Sequence, residues 1–166
     1  MVVNVGAQHT ERKRLSDSTS SLKNSCSWGF MQDKLIHALM RDGKKTQAEK
    51  IVSGVLRELK RRTSRDPILI FTKALENIKP LTEVRSVRIA GNVYLVPVTL
   101  GRARQEALAI RWLVQAARGR KRERTMVQRL CNELLDGAYG RGQCVRKRDE
   151  AHRMAEANQA YIHFRW

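Results

Sequence analysis

The sequence predicts a mainly α protein: a bundle of about six helices with a protruding two-stranded β-hairpin between the third and the fourth. Two patterns and one length lead there. Apolar residues recur at helical spacing through most of the chain. One stretch, Glu83 to Thr99, switches to β-branched residues on either side of a glycine. The 166 residues are enough for a single core with tails. The domain reading is an extended, Ser-rich basic tail over 1–28, one helical domain over 29–160 carrying the ribbon at 83–99, and an aromatic and basic tail over 161–166.

Each element has its own signal. A short helix from about Phe30 to Met40 places Met31, Leu35, Ala38 and Leu39 on one face and stops at Asp42-Gly43. The next begins with Thr46 and Glu49 at capping-box spacing and buries Ala48, Ile51, Val52, Val55, Leu56 and Leu59. Asp66-Pro67 pairs a cap with a first-turn proline, and Ile70, Phe71, Ala74, Leu75 and Ile78 form a stripe that ends at Pro80.

EVRSVRI and VYLVPVT flank Gly91-Asn92, a pair suited to a primed two-residue turn. A lone ribbon is marginal in water and Pro97 cannot donate to a ladder, so it should lean on helices or on a partner. Arg104 to Ala117 reads as a central helix, apolar nearly all round. A basic loop over 119–124 leads to an amphipathic helix from Met126 to Ala138, stopped at Gly140-Arg141-Gly142. The last helix, from about Arg146 to Ala160, is alanine-rich and reads as a surface helix that docks on something else.

Charge indicates the partner. Thirty-three Lys and Arg against 16 Asp and Glu give +17, split +8 and +9 between residues 1–80 and 81–166, so the excess is not a detachable tail. Such a chain clings to polyanions. Nine of the 11 lysines lie in the first half and 15 of the 22 arginines in the second. Arginine grips phosphate bidentately and stacks on bases, so the closer contacts belong to the second half. No apolar run approaches the roughly 18–20 residues that span a bilayer, so no membrane partner is expected. Cys26, Cys131 and Cys144 form no CxxC pair and read as free thiols, with Cys131 in the core.

No catalytic constellation and no metal set appears, so neither an enzyme nor a cofactor is expected. His152 and Glu156 are half a metal site at most. Lys44 and Lys45, at a helix start, suit either a phosphate or an ordinary solvated turn. Arg146, Lys147 and Arg148, with His152 and Arg153 further along, put cations at a helix N-terminus, a conflict that an anion would resolve. Tyr161, Phe164, Arg165 and Trp166 interleave rings and cations, suited to stacking on unpaired bases or else to covering the core.

DGKKTQAEKIV, ALENIKPLTEVRSVRIAGNVYLVPV, ALAIRWLVQAAR and HRMAEANQAYIHFRW resemble, in order, blocks of the universal small-subunit ribosomal protein seven family, over about Phe30 to Trp166. The resemblance implies a primary binder of the 3′ major domain of small-subunit rRNA that organises the ribosomal head beside other head proteins. It also implies a ribbon near the exit-site tRNA and the mRNA channel, and no homo-oligomer. Carried over by position, the RNA surface is Lys44, Lys45, Arg85, Arg88, Arg102, Arg104, Arg111, Arg118, Arg120, Lys121 and Arg146 to Arg153, with Tyr161, Arg165 and Trp166 added on composition. Ala103, Gln105 and the slightly long loop over 119–124 depart from the family pattern. The Ser-rich head, with Arg12, Lys13, Arg14 and Lys23, favours a mitochondrial ribosome over a bacterial or chloroplast one, although Glu11 and Asp17 are unusual in a targeting segment. A DNA-bending protein is the alternative from another class, since a helical body with a basic ribbon also suits minor-groove benders. The Ala90-Gly91-Asn92 tip lacks the apolar wedge such arms carry.

Overall fold

The computed structural model describes residues 28–164, so the tail over 1–27 and the last two residues lie outside the described residues. Helix α1 covers 28–39. It is followed by α2 (Lys45–Thr63), α3 (Pro67–Ile78), strands β1 (Thr82–Ile89) and β2 (Asn92–Thr99), α4 (Arg102–Gly119), α5 (Met126–Ala138), α6 (Gln143–Ala157) and a 3₁₀ turn, η1 (Gln159–Phe164). Fold class, helix order and the hairpin's place all follow the sequence reading.

Three boundaries shift, each for a local reason. Helix α2 begins at Lys45 rather than after Thr46, and Lys44, its N-cap, makes no side-chain cap. Asp42 and Gly43 both take positive φ, and Lys44 N–H closes the turn on the Arg41 carbonyl at 3.0 Å. This backbone turn sets the start, so the capping box does not form. At Asp66 the sequence signal holds: its carboxylate accepts from Ile68 N–H at 3.0 Å, with Pro67 opening the helix.

The hairpin turn falls one residue earlier than expected. Ile89 pairs with Asn92, leaving Ala90 and Gly91 as the two-residue loop, with φ of 47° and 87°. Both left-handed values belong to a type I′ turn, whose twist matches the strands. In such a hairpin the pair flanking the loop is hydrogen-bonded and alternate pairs are not. Pro97, opposite Val84, falls at a non-bonded position, so its missing N–H costs the ladder nothing.

The third shift is in α6, which starts at Gln143, so Arg146 to Arg148 occupy its second turn, where the dipole penalty is weaker. The expected conflict is relaxed.

The core gathers Leu35, Val52, Leu59, Phe71, Leu75, Leu113, Leu130 and Leu134, all nearly solvent-free. Trp28 meets Phe71 edge-on at 4.9 Å, which seats α1 on α3. Helix α4, expected to be central, packs on α3, α5 and α6 and buries Leu108, Leu113 and Ala116, while α5 packs on α2, α3, α4 and α6. Gly137 lets α3 approach α5, for a β-carbon there would lie 3.0 Å from Ile78 Cδ1. Cys131 and Cys144 are both buried free thiols, and burial pushes both up in pKa. The ribbon leans on α6 through β1 and on η1 through β2, with Val96 fully buried at its base.

Candidate nucleic-acid interface

The structure divides the described sequence-derived cations into two groups: those held by protein acceptors and those exposed without a partner among the described residues. At the ribbon base, Glu83 binds Arg85 at 2.8 Å and Arg104 at 3.5 Å. Glu106 binds Lys34 at 3.2 Å, Lys79 at 3.6 Å and Arg102 at 3.4 Å. Two carboxylates thus tie α1, the end of α3, the ribbon and the start of α4 together. Glu106 is a buried acid with only 10% of its side chain exposed, whereas the Arg102 side chain is 82% exposed. Burial raises the Glu106 pKa, but Lys34, Lys79 and Arg102 outweigh it and hold the carboxyl below its ordinary range. Arg85, Arg102 and Arg104 nevertheless remain outward, with their side chains about half exposed or more. Arg88, exposed on β1 opposite Val93, has no partner among the described residues.

On the α1–α4 side, exposed Arg111 lines a groove with Lys34, His37, Gln115 and Arg118. Arg118 is turned inward there, donating to the Ala38 and Leu39 carbonyls at 3.4 and 3.3 Å, which caps α1. Burial first, then Arg41, lowers its pKa. Lys44 is exposed, and Lys45, also exposed, sits loosely on Glu49 at 3.9 Å.

The loop after α4 behaves differently from its composition. Arg120 is bound by Glu133 at 2.7 Å, by Asp136 and by Glu123 at 3.5 Å. Burial disfavours its charge, but Glu133 and Asp136 more than compensate and raise its pKa. Lys121 beside it is exposed and has no partner among the described residues.

On α6, Arg146 and Arg153 are exposed and unpartnered among the described residues. Lys147 donates to Gln115 at 3.3 Å, and Arg148 donates to the Asn77 carbonyl and to Asp149 at 2.6 Å. His152 Nε2 accepts from Leu81 N–H at 3.0 Å, which fixes the entry to the ribbon and requires an unprotonated Nε2.

Of the C-terminal rings, Tyr161 and Phe164 fall within the described residues. Tyr161 and Phe164 close on Tyr94 of β2, with ring centroids 5.4 and 5.0 Å away. They clasp the ribbon. Arg165 and Trp166 lie outside the described residues.

Sequence reasoning missed Glu83, Glu106 and Glu133, the acids that organise these cations. A signal existed for two of them. Glu106 shares the α4 stripe of Ile110, Leu113 and Ala117, and Glu133 shares that of Leu130, Leu134 and Gly137 on α5; a carboxylate on an apolar stripe implies a buried cation partner. No group of three His, Cys, Asp or Glu among the described residues is arranged to hold a metal ion, and no described helix is long and apolar enough to cross a membrane.

A helical body with a leaning ribbon, exposed cations on several elements and others held by Glu83, Glu106 and Glu133 is an architecture suited to a polyanionic partner. The sequence matches the family model for ribosomal protein S7p/S5e over residues 6–159, and the chain belongs to that family. It is 53% identical over 135 residues to the small ribosomal subunit protein uS7 of Gluconacetobacter diazotrophicus, covering 80% of this chain and 85% of that protein. It is 50% identical over 133 residues to the uS7 of Chelativorans sp., and 51% over 137 residues to that of Paramagnetospirillum magneticum, where 82% of this chain and 87% of the relative are covered.

Proposed function

We propose that this chain is a structural, non-catalytic constituent of the small ribosomal subunit, and that it binds the 3′ major domain of the rRNA and organises the head. The observation that carries the proposal is that, in a protein of this family with a charge of +17, Arg88, Arg111, Arg146 and Arg153 on strand and helices and Lys121 on the loop after α4 stand outward without partners among the described residues. Cations in that state neutralise phosphates and release counterions without first breaking an internal pair. Lys44 extends the surface, as do Lys45, Arg85, Arg102 and Arg104, whose outward guanidinium and ammonium groups exchange their carboxylate partners for phosphate. Arg118, Arg120, Lys147, Arg148 and His152 serve chiefly to hold the elements in place. The ribbon over 82–99 faces the mRNA channel and exit-site tRNA, and other head proteins pack alongside.

The compartment we propose is the mitochondrion, on the composition of the Ser-rich head. The relatives above are bacterial, so a bacterial ribosome is the alternative. Cell fractionation with an antibody to the chain separates the two.

The functional test is sedimentation. The tagged chain should run with small subunits through a sucrose gradient at physiological salt and leave them only at high salt. Recovery with free DNA or at the top of the gradient would contradict the proposal and reopen the DNA-bending alternative.

A further inference from the structure

Helix α6 begins without a cap of its own. Its N-cap is Gly142, with φ of 101° and no side chain to accept from the first-turn N–H groups. The acceptor comes from another helix: Glu133 Oε1, on α5, takes the Cys144 N–H at 3.2 Å. The other oxygen of the same carboxylate takes Arg120 Nε, in the loop after α4, at 2.7 Å. Glu133 is 1% exposed. A β-carbon at position 142 would lie 3.0 Å from Asp136 Cβ and 3.4 Å from Glu133 Oε1, so the helix start is pressed against this carboxylate.

One buried acid therefore joins two basic segments that would otherwise repel each other, the loop with Lys121, Arg122 and Arg124 and the helix with Arg146 and Arg153. It also occupies the positive end of α6, where a ligand phosphate would otherwise be drawn. That leaves the outward cations, not the helix end, as the contacts. Nothing about Glu133 itself touches the surface.

We propose that Glu133 is a positioning residue for RNA binding: by capping α6 and anchoring Arg120, it fixes the loop over 120–125 and the cations of α6 in one rigid surface. This rests on the proposal above that α6 binds rRNA.

The test is a double-mutant cycle on the full chain, with E133Q and the pair R146Q/R153Q, read as affinity for a 3′ major domain rRNA fragment well below every variant's Tm. Gln keeps an acceptor for Cys144 N–H but loses the charge that holds Arg120. E133Q should weaken binding about tenfold in the native background and much less when Arg146 and Arg153 are already gone, as coupled groups behave. Equal losses in both backgrounds, or no loss, overturn the proposal, since a merely structural role would add independently. If R146Q/R153Q binds as the native chain does, the RNA reading of α6 has failed, and this role for Glu133 with it. Amide exchange at Cys144, which Glu133→Ala should accelerate and E133Q should leave near its native rate, then shows whether this side chain caps α6. Should E133Q not fold, R120Q severs the loop from the same carboxylate and carries the same cycle.

Discussion

Glu106 and Lys79 lie 3.6 Å apart, the first on α4 and the second on the residue that closes α3, immediately before the ribbon. Lys34 from α1 reaches the same carboxylate at 3.2 Å, so three elements share one buried negative charge. Because these cations hold the Glu106 pKa below its ordinary 4.5, the stability it contributes is complete above that pH and is lost as pH falls through the lower folded value. Glu106→Gln should cost about 1–2 kcal/mol at pH 7, since two partly buried lysines lose their counter-charge. It should also flatten the acid limb of the stability curve. Urea denaturation between pH 7 and 3 measures both; an unchanged acid limb would remove Glu106 from its organising position.

The ribbon turn carries strain that a single substitution relieves. Ala90 sits at φ 47°, a region that costs an alanine roughly 1 kcal/mol and that asparagine tolerates. Ala90→Asn restores the Asn-Gly pair that type I′ turns favour. Amides of β1 and β2 should exchange several-fold more slowly in this variant, while those of α5 keep their native rates.

Arg111 and Arg120 should respond in different assays. Arg111→Gln removes an exposed cation without a protein partner, so Tm should hold while the log-log salt slope of RNA binding falls by about 1. Arg120→Gln leaves Glu133 buried without its cation and should lower stability by about 2–3 kcal/mol. Calorimetry beside a salt titration distinguishes them. A loss of Tm in Arg111→Gln would place that side chain inside the fold.

Both described cysteines should be silent in the native state. Cys131 and Cys144 are solvent-free and their thiols are pushed up by burial, so at pH 8 neither offers an accessible thiolate. In a Cys26→Ser background a thiol reagent should label neither until denaturant is added, then both. Rapid native labelling would mean that the α5–α6 junction opens.

The helices were legible because their apolar stripes repeat over many residues, as in Val52, Val55 and Leu59 or Phe71, Ala74 and Ile78. The ribbon was legible because Glu83 to Thr99 changes period and composition together. Its turn was misplaced by one residue because Gly91-Asn92 and Ala90-Gly91 both offer a left-handed pair, and register is decided by which side chains the body buries, Val96 above all. The site was only half legible. Sequence separates cations from anions but cannot say which arginine a distant glutamate will claim, so Arg118, Arg120 and Arg148 looked as free as Arg111 and Arg146. The pairings that distinguish them span 13 to 80 residues of chain and exist only once α1, α3, α5 and α6 are assembled.

On the proposed function, the outward cations grip one particular RNA. The measurement that tests it most directly is binding of the purified chain to a 3′ major domain fragment of small-subunit rRNA across a salt titration, beside scrambled RNA and duplex DNA of equal length. A preference of about a thousandfold for the fragment, with a slope of several released counterions, is the predicted result. Equal binding to all three, or tighter binding to DNA, would contradict it.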